Sequence, residues 1–209
     1  MAPEHRFGYL FAVPDFVRPL LRAAIATALA TAAGARLGLR GVPARDGLKL
    51  GAAVTAVIAA GVAAGTTAPP VRAGMIDRTP PGQGWGWLAW QIPVGTVWTE
   101  EMIFRGAVAT VARRALGAER GRLLQAALFG LAHVPNARRA GESVAGTVAV
   151  TGAAGWVFGW LADRSGSLLA PMLAHLAINE SGALATLAVR RAYTAPTRAA
   201  IQGSASSNA

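Results

Sequence analysis

The sequence contains no cysteine. Disulfides, zinc–thiolate centres and cysteine nucleophiles are therefore excluded, and redox usage marks no compartment. Charge is scarce as well: charged residues make up 14% of the chain, against about 25% in an ordinary soluble domain. Hydrophobic residues account for 53%. That balance suits a chain solvated by lipid. Lysine is almost missing, since Lys49 is the single lysine among 20 basic residues and the rest are arginine. The formal net charge is +10, but the arginines punctuate apolar runs and form no patch. No nucleic-acid-binding motif accompanies them, so no nucleic-acid partner is expected. Loops beside anionic lipid headgroups account for the basic excess.

Several catalytic frameworks are missing too. There is no H-E-x-x-H helix, no G-x-S-x-G elbow and no P-loop. Adjacent Glu100 and Glu101 point to different faces of a helix, which argues against a glycosidase-like carboxylate pair.

What is present is apolar and segmented, without an internal repeat. Six apolar segments are read, at about Leu20–Leu39, Leu48–Ala68, Trp85–Ala112, Leu123–Val134, Val144–Ala162 and Leu168–Val189. A transmembrane helix needs about 20 residues. The second, third, fifth and sixth segments reach that length; the first does so if Arg22 and Arg36 snorkel to the interfaces. The first segment is not read as a cleaved secretory signal, because the long head containing Pro14, Asp15 and Pro19 fits that pattern poorly. The fourth segment is too short to span. It stops at His133-Val134-Pro135, where proline disfavours helix at the preceding residue. A short apolar helix of this kind suits a buried or re-entrant position beside a cavity. The expected fold is thus all-α: a polytopic transmembrane bundle of about six apolar segments, one short and re-entrant.

Turn signals fill residues 70–84, and Trp85, Trp87 and Trp90 follow as an interfacial aromatic cluster. Loops near 113–122 and 136–142 are rich in arginine. Basic residues are nearly balanced between the two sides, so the positive-inside rule does not fix orientation. A multi-pass protein of the bacterial cell membrane is expected.

Ionisable residues within apolar spans are costly and each needs a reason. Of three histidines, His133 and His175 lie in the fourth and sixth segments. The third segment carries Glu100, Glu101 and Arg105. Spacing of four places Glu101 beside Arg105, Phe129 beside His133, and His175 beside Asn179. Three segments thus each offer polar groups able to converge inside the bundle. A packing network alone could use such residues, because interhelical hydrogen bonds are common. Taken together, two glutamates, an arginine, two histidines and an asparagine point to a site.

These residues resemble the CAAX-protease and bacteriocin-processing (CPBP, or Abi) family of intramembrane endopeptidases, which includes the type II CAAX prenyl endopeptidases. The family's ordered motifs E-E-x-x-x-R, F-x-x-x-H and H-x-x-x-N read here as Glu100-Glu101…Arg105, Phe129…His133 and His175…Asn179. The resemblance covers about residues 85–185. It implies a helical membrane fold and an intramembrane endopeptidase acting on peptide or membrane-protein substrates, with CAAX-type processing among its activities. Glu100 would be the base that activates water, with His133 holding that water. His175 and Asn179 would stabilise the oxyanion, supported by Glu101, Arg105 and Phe129. A metal-free mechanism without cofactor is the favoured reading. The alternative is Zn²⁺ on Glu100, His133 and His175, with an open position for water. No second partner that would orient either histidine is evident in the sequence. The regions are then 1–84 with two transmembrane helices, 85–190 as the core of this family's type, and 191–209 as a disordered tail. A catalytically silent membrane protein, such as an immunity or scaffold protein, is the competing reading. A transporter with a proton relay is a third.

Overall fold

The computed structural model describes residues 14, 16–77 and 84–206, and among them it contains helices and no strand. Helix α1 (Val17–Ala32) leads into α2 (Gly41–Gly65) and the short α3 (Pro69–Asp77). A continuous helical rod, α4 (84–116), follows. After it come α5 (Ala118–Ala132), α6 (Val134–Ala140), α7 (Val144–Ser165) and the long α8 (Leu169–Ser206).

Three helical stretches are long and apolar enough to cross a membrane: Gly41–Gly65, Val144–Ser165 and Leu169–Thr194. Among the described residues these stretches correspond to the second, fifth and sixth apolar segments of the sequence. Helix α1 has 16 residues and α5 has 15, each about 22–24 Å at about 1.5 Å per residue. The apolar run of α4 is interrupted by Glu100, Glu101 and Arg105. The outer surface nonetheless reads as lipid-facing. Only 11% of the most apolar window of α2 is buried, and Val57, Ile25, Leu128 and Leu131 stand exposed. This is a membrane protein.

Glycines let the helices approach closely, as small residues do in membrane bundles. A Cβ on Gly130 of α5 would sit 2.6 Å from the Val148 carbonyl of α7. One on Gly51 of α2 would sit 2.7 Å from the Leu173 side chain of α8. The Thr55 hydroxyl donates to the Leu173 carbonyl at 3.2 Å across the same contact. At one end of the bundle the 33–38 loop meets the turn between α7 and α8. The Leu168 N–H donates to the Leu37 carbonyl at 3.0 Å, and the Ser167 hydroxyl to the Gly38 carbonyl at 2.8 Å.

Four boundaries differ from the sequence reading. The expected arginine loop near 113–122 is helix on both sides of Gly117. Part of the expected turn at 70–84 is helix α3, because Pro69 and Pro70 occupy its first positions, where a missing N–H costs nothing; residues 78–83 lie outside the described residues. The expected arginine loop at 136–142 is largely α6, with proline at its start and Gly141 ending it in the left-handed conformation. The tail expected to be disordered over 191–209 continues as helix to Ser206, since alanine and arginine are strong helix formers; residues 207–209 lie outside the described residues.

Candidate active site

The rod α4 carries the acidic pair, and its backbone is unusual there. It is α-helical at Thr99–Glu101, but the turns on either side, Trp87–Trp98 and Met102–Val108, are of the wide π type. Pro93 lies in the first wide stretch and removes a backbone donor. The Thr99 hydroxyl donates to the Val94 carbonyl at 3.0 Å. Wide turns of this kind recur at functional sites.

Glu101 is fully buried. Its Oε1 accepts from Arg105 Nη1 at 3.0 Å and from His175 Nδ1 at 2.8 Å. One carboxylate oxygen therefore ties α4 to α8. Arg105 Nη2 reaches the Gly155 carbonyl on α7 at 3.4 Å. Its guanidinium lies 4.1 Å from the centre of the Phe129 ring and 4.9 Å from that of Phe158. Both contacts are of cation–π type.

Glu100 points away from this pair, with 27% of its side chain exposed. Its Oε2 lies 3.8 Å from His175 Nε2, too far for a direct hydrogen bond. Glu100 is also a charge neighbour of His133, Glu101 and Arg105. Helix α5 ends at Ala132, and His133 caps it before Pro135. His133 Nδ1 donates to the Phe129 carbonyl at 2.8 Å, leaving Nε2 free to accept. Asn179 lies one helical turn beyond His175, and its buried Nδ2 has no hydrogen-bond partner.

Phe129 is the hub of the cluster. Its ring centre lies 4.8 Å from that of His133, 5.9 Å from His175 and 5.1 Å from Phe104. Phe158 stacks on His175 at 5.1 Å. The structure thus brings Glu100, Glu101, Arg105, Phe129, His133 and His175 together from three helices, with Asn179 a turn further along α8.

Two features were not foreseen. Gln125 is fully buried on α5 and donates to the Gly155 carbonyl at 3.3 Å, beside Arg105. An amide four residues before Phe129 inside a short apolar run was the available signal. Each histidine also has an orienting partner that the sequence did not reveal: a backbone carbonyl for His133 and a carboxylate for His175. Partners of this kind orient metal-bound histidines as well. Even so, among the described residues no three His, Asp or Glu side chains are disposed to hold a metal ion.

Residues 82–180, which contain every side chain of the cluster, match the model of the family described as type II CAAX prenyl endopeptidase Rce1-like. No curated protein and no solved structure matches the chain. Over residues 82–180 the chain is thus similar to the type II CAAX prenyl endopeptidases of the Rce1-like family.

Proposed function

We propose that the chain is an intramembrane endopeptidase of the bacterial cell membrane in which Glu100 activates water. The supporting observation is the division of labour between the two glutamates. Glu101 holds Arg105 and His175 through Oε1, with Oε2 unpartnered, whereas Glu100 makes no such pair: its Oε2 is unpartnered and lies 3.8 Å from His175 Nε2. In this reading a water sits between Glu100 and His133 Nε2. Glu100 takes a proton from it as the new C–O bond forms at the scissile carbonyl. The oxyanion accepts hydrogen bonds from His175 Nε2–H and Asn179 Nδ2–H. Glu100 then returns the proton to the departing nitrogen as the C–N bond breaks.

In this scheme His175 donates from both ring nitrogens, as an imidazolium with the Glu101 carboxylate accepting from Nδ1.

Substrates are peptides or membrane proteins, and CAAX-type processing is the first activity to test. Detergent-solubilised protein is incubated with a peptide library and with prenylated peptides ending in a CAAX-type sequence, and products are identified by mass spectrometry. Cleavage at a defined bond is expected. A folded protein that cuts none of these substrates overturns the reading in favour of a catalytically silent membrane protein.

Two further outcomes follow from the proposed roles. Asn179→Ala lowers kcat by roughly a hundred- to a thousand-fold, the usual cost of one oxyanion donor, with KM little changed. Loss confined to KM would move Asn179 to substrate binding. Chelators leave turnover unchanged, and metal analysis of the active protein finds no stoichiometric zinc. Loss of activity on chelation that added Zn²⁺ restores would instead assign the water to a metal.

A further inference from the structure

Away from the acidic pair, the bundle end formed by residues 33–38, the last turns of α4 and the turn between α7 and α8 encloses a cavity of about 700 Å³. Four arginines reach its wall, Arg36, Arg105, Arg113 and Arg114, against the single carboxylate of Asp163. The charges do not cancel. Asp163 is already shared between Arg113 and Arg122, and Arg105 is paired with Glu101. Arg114 is held by two neutral groups, the Ala33 carbonyl at 2.8 Å and the Gly34 carbonyl at 3.4 Å, so its position is fixed and its charge uncompensated. Among the described residues Arg36 has no hydrogen-bond or ion-pair partner.

Two of these arginines also carry unpartnered donors. The Arg105 side chain is fully buried, and its Nε–H has no hydrogen-bond partner; Arg113 Nε–H is likewise buried and unpartnered. Forked guanidinium donors match the oxygens of a phosphate. The surroundings add an apolar requirement. Leu29 of α1 and Leu116 of α4 stand exposed at this end.

We infer that this cavity binds one phosphate group, and that its occupant is the headgroup of an anionic membrane lipid whose acyl chains lie along α1 and α4. Nothing in the inference depends on proteolysis. It places a basic site at the membrane surface, with Arg105 as the residue shared between this cavity and the cluster around Glu101.

The test uses the full-length protein in neutral detergent with phosphatidylglycerol or phosphatidylcholine of identical acyl chains. Bound lipid is counted by native mass spectrometry, and thermal melting is followed in parallel. One phosphatidylglycerol is expected to be retained in preference and to raise the melting temperature. Arg36→Gln/Arg114→Gln weakens that retention by about tenfold or more, the size of one lost charge-assisted hydrogen bond. The control pair Arg138→Gln/Arg139→Gln, on exposed α6, leaves it unchanged. Because Arg114 also anchors the 33–34 backbone, Arg36→Gln alone is the second variant. It is expected to weaken phosphatidylglycerol binding while the lipid-free protein melts as the parent does. Inorganic phosphate separates the two sources of the anion. Competition only at far higher concentration than the lipid supports a headgroup. Phosphate that matches the lipid in affinity and stabilisation keeps the phosphate site but overturns the lipid assignment. Equal retention of the two lipids, or equal loss from the control pair, overturns the site itself.

Discussion

Glu100→Gln lowers the rate of peptide cleavage by roughly 10²–10⁴-fold, the contribution of a positioned general base, while the protein still inserts and melts as the parent does. The amide is nearly the same shape as the carboxylate, so packing is preserved. Little stability is at stake, because 27% of the side chain is exposed and Oε2 makes no hydrogen bond. The amide cannot take a proton from water, so kcat should fall with KM held. Full turnover in Glu100→Gln would remove Glu100 as the base and leave the cluster without a candidate, since Glu101 is enclosed by Arg105 and His175.

Much of this arrangement was legible because charge inside an apolar span is costly. That cost made Glu100, Glu101, Arg105, His133 and His175 conspicuous, and the four-residue spacings paired Glu101 with Arg105 and Phe129 with His133. Both pairs are in contact. The stop at His133 was legible from Pro135, and α5 does end at Ala132. The way α4 presents its glutamates was not. A periodicity of 3.6 describes an α-helix, and nothing in the residue pattern announces the wide turns on either side of Thr99–Glu101.

Contacts between helices were the other gap. Spacing within one helix pairs Glu101 with Arg105 but cannot show that His175, 74 residues away, donates to the same oxygen. Nor can it show that the Gly155 carbonyl receives both Arg105 and Gln125. The number of crossings was not legible for a related reason. Alanine-rich runs look apolar whether they face lipid or pack against a neighbour, and Ala26 and Ala30 of α1 are fully buried.

Glu101→Ala is expected to destabilise the protein by about 3–5 kcal/mol, the cost of breaking a buried ion pair from one side. Both partners have no side-chain exposure, so water cannot replace the lost carboxylate. Arg105 would keep its charge with only the Gly155 carbonyl and the faces of Phe129 and Phe158 against it. His175 would lose its Nδ1 acceptor in the same step, so turnover should fall beyond what unfolding explains. A double replacement separates the two effects. Glu101→Leu/Arg105→Met removes both charges while filling similar volume, and a buried pair replaced by apolar residues is often neutral in stability. The double variant should therefore recover most of the stability in denaturant titrations of the detergent-solubilised protein. It should stay inactive, because His175 has nothing to support an imidazolium. Wild-type melting and turnover in Glu101→Ala would sink both roles. Recovered activity in the double variant would leave Glu101 a purely structural partner of Arg105.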